Sequence, residues 1–195
     1  MELHRRDLEA ATTPRYAAVD CFCRRGAAGI GGARHDVSGP HNRECPLCGA
    51  SDVGGLDGCR ELFGALAEKE FSDASYFAFH RLTVDAYCLQ HPEIYMISSK
   101  SAAAHLAAMC WSMEQGLTCN LHPRLKAFFD GPRKFARVQP PKPLHRGGFT
   151  ISDMVLADTL DEYEAHSWTW ARSAWGAWKD HWGLARQWVS EACGI

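Results

Sequence analysis

The sequence has no run of about eighteen apolar residues, the minimum for a membrane-spanning helix, so no membrane partner is expected. Its opening, "MELHRRDLEAATTPRY", is charged and carries no apolar h-region, so no signal peptide is expected and the cytoplasm is the expected location. A strong excess of one charge is also missing. The formal net charge is -2, too nearly neutral for a general polyanion-binding coat, and nucleic acid is not an expected partner. Neither H-E-x-x-H nor E-x-x-H occurs, which leaves zincin protease and di-iron carboxylate chemistry unsupported. Internal repeats and alternating strand hairpins are lacking too, apart from a possible small ribbon around the first C-x-x-C.

What is present is a 195-residue chain that is 46% hydrophobic and 11% aromatic, enough for one substantial core plus a loose arm. Residues 1–43 mix Gly, Arg and small residues without an apolar period, and read as a flexible arm. Cys21 and Cys23, with His35 or His41, could bind a metal there, but the surrounding residues offer no core to hold a site, so exposed thiols are the competing reading. From Asp57 the pattern is helical: Leu62, Phe63, Leu66 and Ala67 make one face. A second helix is expected from Ser72 or Asp73 to Pro92, and an alanine-rich third from Ser98 or Ser99 to Gly116. Residues 117–148 carry five prolines and seven Lys or Arg against one acid, a basic, semi-extended crossover with one helical turn near Leu125 to Phe129. A last helix or helix pair spans about Ser152 to Ala192, with Trp168, Trp175, Trp178 and Trp182 as a single buried stripe. The expected fold is all-α: a helical bundle of about four main helices over residues 44–195, with an N-terminal zinc knuckle and a Pro-rich crossover.

Nine cysteines in a reducing compartment argue against a disulfide framework and for a metal site plus buried thiols. "ECPLCGA" sets Cys45 and Cys48 in a Pro/Gly turn, the spacing that presents two thiolates to one Zn2+. Cys59, at the head of the first helix, is the third expected ligand. If helices one and two form an antiparallel hairpin, Cys59 lies level with residues 85–91, which makes His91 the expected fourth ligand and His105 its substitute. A thioredoxin-like dithiol would need a βαβ setting that is absent.

In "HRLTVDAYCLQHP", His80, Val84, Tyr87 and His91 fall in one narrow sector of a helical wheel. Buried imidazoles and phenols must find partners, since burying each without one costs about 1–3 kcal/mol. Either they form a satisfied core network, or His80 and Tyr87 line a pocket between helices for a small-molecule ligand. Asp85 reads as a surface partner of Arg81 at i, i+4, or as a base.

Together "CPLCGA", "CRELF", "HRLTVDAYCLQHP", "SAAAHL", "CWSMEQG" and "WARSAWGAWKDHW" resemble an uncharacterised bacterial family, a domain of unknown function, over about residues 45–192. The resemblance implies that the core begins at the C-x-x-C and that Cys45, Cys48, Cys59, His80, Asp85, Tyr87, Gln90, His91 and His105 occupy motif positions. It implies no reaction. Three functional readings follow. The first is a zinc-binding bundle whose metal is mainly structural, with the His80/Tyr87 pocket as its ligand site. The second is a metal-dependent hydrolase or group-transfer enzyme with an open zinc position and His80 or Asp85 as base. The third is an adaptor or regulator that binds a protein or nucleic acid through the knuckle and the basic segment 124–146.

Overall fold

The computed structural model describes residues 44–116 and 122–195. The expected arm at 1–43, with Cys21, Cys23, His35 and His41, lies outside the described residues. Among those described there is no strand, and the helices are α1 (Gly55–Ser72), α2 (Ala74–Phe77), α3 (His80–Gln90), α4 (Pro92–Tyr95), α5 (Ser99–Gln115), α6 (Pro123–Asp130), α7 (Ile151–Met154), α8 (Leu160–Ala177) and α9 (Trp182–Cys193). The architecture is a helical bundle. None of these helices is long and apolar enough to cross a membrane.

The centre is α3, packed by α8, α5 and α1. It is buried from Leu82 to Gln90, as a helix apolar nearly all round must be. The small side chains of α5 let its neighbours approach: Ala102, Ala103, Ala107 and Ala108 are all buried, with α3 and α9 packed against that helix.

One expected helix is broken in the structure, and the last segment, expected as a helix or a helix pair, forms a pair. The expected helix from Asp73 to Pro92 is interrupted at Ala78 and Phe79. Asp73 caps α2 by accepting from Ser75 N–H at 2.8 Å, and the break turns both Tyr76 and Phe79 onto Tyr163 of α8. His80 therefore opens its own helix. At the other end, α8 stops at Trp178 and a 3-10 turn (Lys179–His181) leads into α9. The Trp182 indole donates to the Trp175 carbonyl at 3.0 Å, satisfying one of the carbonyls that a helix end leaves free. The tryptophans are consequently not one stripe: Trp168 is only half-buried, while Trp170 and Trp188, which that stripe leaves out, are in the core.

The crossover returns to α3 through Arg146, a buried guanidinium. It donates to the Pro141 carbonyl at 2.9 Å, to the Gln90 carbonyl at 3.1 Å and to Glu93 at 2.7 Å. Gln90 in turn donates to the Arg146 and Phe149 carbonyls and accepts from the Trp170 indole. The Leu144 N–H bonds to the Leu47 carbonyl at 3.0 Å, which lays the crossover against the knuckle.

Candidate metal centre

The knuckle is a tight turn closed by its own backbone. Cys45 N–H donates to the Ala50 carbonyl, Gly49 N–H donates to the Cys45 carbonyl, both at 2.9 Å, and Gly49 supplies the left-handed φ of 80° that the turn needs. The next contact fixes Cys59. Gly58 lies so close to the preceding loop that a Cβ there would fall 1.7 Å from the Val53 carbonyl oxygen, so only glycine lets α1 begin under the knuckle.

His91 caps the C-terminus of α3 immediately before Pro92, where a proline keeps the preceding residue out of helical geometry. Its Nδ1 lies 2.9 Å from the Tyr87 carbonyl, one of the last carbonyls of α3. A carbonyl only accepts, so the proton sits on Nδ1 and the Nε2 lone pair is turned toward the cysteines. Nε2 is 3.6 Å from Cys45 Sγ and 3.5 Å from Cys59 Sγ, and Cys48 Sγ is 3.9 Å from Cys59 Sγ. All four donor atoms lie within 4.8 Å of one another. This is a Cys3His cluster of the kind that holds a metal ion.

The protonation pattern points the same way. Hydrogen bonds from the Cys48 and Cys59 thiols hold the Cys45 thiol far below the ordinary range, despite its burial. The two donors move the other way for the same reason: Cys48 is pushed up, and Cys59 rises to about 12. The three thiols thus compete for protons at one point, and a divalent cation bound there would displace them.

Tyr87 belongs to this cluster. It is fully buried, its ring stacked on Phe63 (centroids 3.8 Å apart, planes within 3°) and on His91 (4.0 Å), and its hydroxyl lies 3.7 Å from Cys59 Sγ. Burial, and then the charge near Cys59, push its phenol well above the ordinary tyrosine range, so it remains a donor. His80 is held elsewhere: its Nδ1 is 2.6 Å from the Glu70 carboxylate, so His80 and Tyr87 have different partners.

His105 is not brought to the cysteines. Its Nδ1 is 2.7 Å from Asp85 Oδ1, and Arg81 grips the same carboxylate through Nε and Nη2, each at 2.7 Å. The Arg81–Asp85 pair expected at i, i+4 therefore exists, but with Asp85 buried and His105 as its third member. The His166 ring, on α8, packs on Phe149 with centroids 5.4 Å apart.

The residue missed along the chain is Glu70. It is fully buried and accepts from Thr83 Oγ1 at 2.7 Å and from the Tyr163 hydroxyl at 2.6 Å, besides its bond with His80. Its signal was present in the helical period: Cys59, Phe63, Leu66 and Glu70 lie on one side of a helical wheel, which places a charge on an apolar stripe.

No curated protein and no solved structure gave a match to the chain. A family of unknown function, DUF5946, matches residues 43–179, a span that contains the knuckle, the Cys3His cluster and both carboxylate–histidine groups, and the chain belongs to that family.

Proposed function

We propose that the protein is a zinc-binding helical bundle in which Cys45, Cys48, Cys59 and His91 hold one Zn2+ as a structural ion, and that its small-molecule site lies on the His80 face of the bundle. The carrying observation is the spacing of the donor atoms. Zinc bonds of about 2.3 Å to sulfur and 2.0–2.1 Å to nitrogen, arranged tetrahedrally, give S···S edges of about 3.8 Å and S···N edges of about 3.5 Å. The separations of 3.9, 3.6 and 3.5 Å fit those edges.

A structural role is supported by closure. All four donors come from the protein, and the four residues are at most 3% exposed, so the set leaves no position for a reacting water. An open zinc position with hydrolytic chemistry is less well supported for that reason. The ion would fasten the knuckle to the head of α1 and the end of α3, three segments with no shared helix. In small zinc domains such a set contributes about 10–16 kcal/mol of apparent folding free energy.

The ligand-site reading rests on His80 rather than Tyr87, because the Tyr87 hydroxyl is already directed at Cys59. The adaptor reading has less support, since much of the basic segment is neutralised within the fold: Lys126 pairs with Asp130, Arg133 with Glu191 and Arg146 with Glu93.

Elemental analysis of protein purified without chelators tests the assignment. The expected result is one zinc per chain, lost in Cys59→Ser and retained in His105→Ala. Protein that is folded, holds no zinc and takes none up from a zinc buffer would refute it.

A further inference from the structure

A closed metal centre leaves the Glu70–His80 group outside the metal's work. Its geometry is that of a held base. The two carboxylate oxygens have different partners: Oε2 meets His80 Nδ1 at 2.6 Å, while Oε1 accepts from both Thr83 Oγ1 and the Tyr163 hydroxyl. Three donors from two helices therefore fix the carboxylate in place, at complete burial. Because the carboxylate is an acceptor, neutral His80 carries its proton on Nδ1 and presents a lone pair on Nε2. Nε2 has no hydrogen-bond partner among the described residues, and the His80 side chain is 15% exposed, whereas that of Glu70 is fully buried. The histidine is the outlet of the cluster.

The surroundings of that outlet are aromatic. The His80 ring lies 5.3 Å from the Phe77 ring, nearly parallel to it, and 4.6 Å from Phe71, which is itself 65% exposed. A large exposed aromatic beside an oriented imidazole offers a flat apolar wall next to a hydrogen-bond acceptor.

We propose that His80 is a proton-abstracting residue for an aromatic substrate carrying a hydroxyl group, its ring against Phe71 and its hydroxyl on Nε2. This deepens the small-molecule reading above and rests on it, while standing apart from the metal assignment. In the step, the substrate O–H bond breaks, the proton passes to Nε2 and the electron pair stays on oxygen. The imidazolium so formed is paired with the Glu70 carboxylate, which is positioned before the charge appears. Thr83 and Tyr163 are positioning residues in this arrangement. Burial and the Glu70 charge keep the Tyr163 phenol protonated, so it continues to donate.

The contrast with Asp85–His105 explains the choice between the two carboxylate–histidine groups. Asp85 is already neutralised by a two-point bond with Arg81, and among the described residues no exposed aromatic ring contacts His105.

The test uses the full chain with 4-nitrophenol as a chromogenic probe and 4-nitroanisole, its methyl ether, as the control without a proton. In a buffer acidic enough to keep the free phenol protonated, titration with protein is expected to produce a saturable phenolate absorbance. His80→Asn should weaken it by about 10-fold or more, the scale of one lost hydrogen bond to a charged group, with helical circular dichroism and zinc content unchanged. Glu70→Gln should reduce the absorbance as well; should that variant fail to fold, the His80→Asn comparison stands alone. Equal binding of phenol and ether with no phenolate band would overturn proton abstraction and leave the ligand site standing. Binding of neither probe would overturn both, and an undiminished signal in His80→Asn would remove His80 from the role.

Discussion

The Cys3His cluster and the Glu70 cluster lie at opposite ends of the α1–α3 pair, the first completed by the knuckle and the second by Tyr163 of α8, and they differ in what they leave open. At the knuckle end, Cys59 of α1 meets His91 at the end of α3, and the buried donor atoms face one another, with Tyr87 beside Cys59. At the other end, Glu70 of α1 meets His80 at the start of α3, and one ring nitrogen is left over. An antiparallel hairpin must bring its helices together at both ends. Here one end gathers soft donors at spacings that would suit a metal ion, and the other sets hard donors around a carboxylate. Closure suits a structural role and an unused lone pair suits chemistry.

The sharpest way to break the comparison is to remove the ion. Chelation of zinc, or Cys59→Ser, should cost on the order of 10 kcal/mol if the cluster behaves as structural zinc sites do. Circular dichroism melts with and without chelator would then show the largest loss of stability of any change described here. A melt that ignores chelation would reverse the structural assignment. Glu70→Ala should come next, at roughly 3–5 kcal/mol, because it strands the Thr83 and Tyr163 hydroxyls and the His80 N–H without an acceptor. Differential scanning calorimetry should place its Tm roughly 6–20 °C below that of the parent protein, and metal analysis should still find one zinc. Loss of zinc in this variant would mean that the two ends are coupled.

A smaller change sharpens the metal end alone. Tyr87→Phe keeps the stacking on Phe63 and His91 but removes the donor near Cys59, and competition with a chromophoric chelator should report roughly 10-fold weaker zinc binding. Unchanged affinity would reduce Tyr87 to a packing residue.

The smallest effect concerns acid stability near the crossover. Partial burial works against the charge on Glu93, yet its hydrogen bonds with Arg146 prevail and hold its carboxyl below the ordinary range. A depressed folded value means that this contribution is fully present above the ordinary carboxylate range and disappears as pH falls from there through the folded value. Urea midpoints measured across that acidic window should fall less steeply in Glu93→Gln than in the parent; identical slopes would assign the acid loss to other groups.

Several of these features could be read along the chain. Cys45 and Cys48 announce themselves by spacing, and the ends of α5 by Ser98 and Gly116. His91 was reached by counting back along a hairpin, which worked because the rise of a helix is constant. The same counting ranks His91 first but leaves His105 as a substitute. That choice depends on Asp85, about one and a half turns before the end of α3, which takes Nδ1 of His105 and turns it from the cysteines. Glu70 is marked along the chain only as a charge on the apolar stripe of α1, and its partner Tyr163, 93 positions away, carries no local motif that would pair the two. The break at Ala78–Phe79 was hidden for a related reason: Tyr76 and Phe79 pack on Tyr163 of α8, contacts with a distant helix that no local period records.

Helical class, the Pro-rich crossover and the thiols of the knuckle follow from local preference and short-range spacing, because turn residues, caps and apolar periods act over a few positions. Which polar groups find each other in the core does not. A buried imidazole or carboxylate takes whichever partner packing brings within about 3 Å, and here packing gave His91 to the cysteines, His105 to Asp85 and His80 to Glu70.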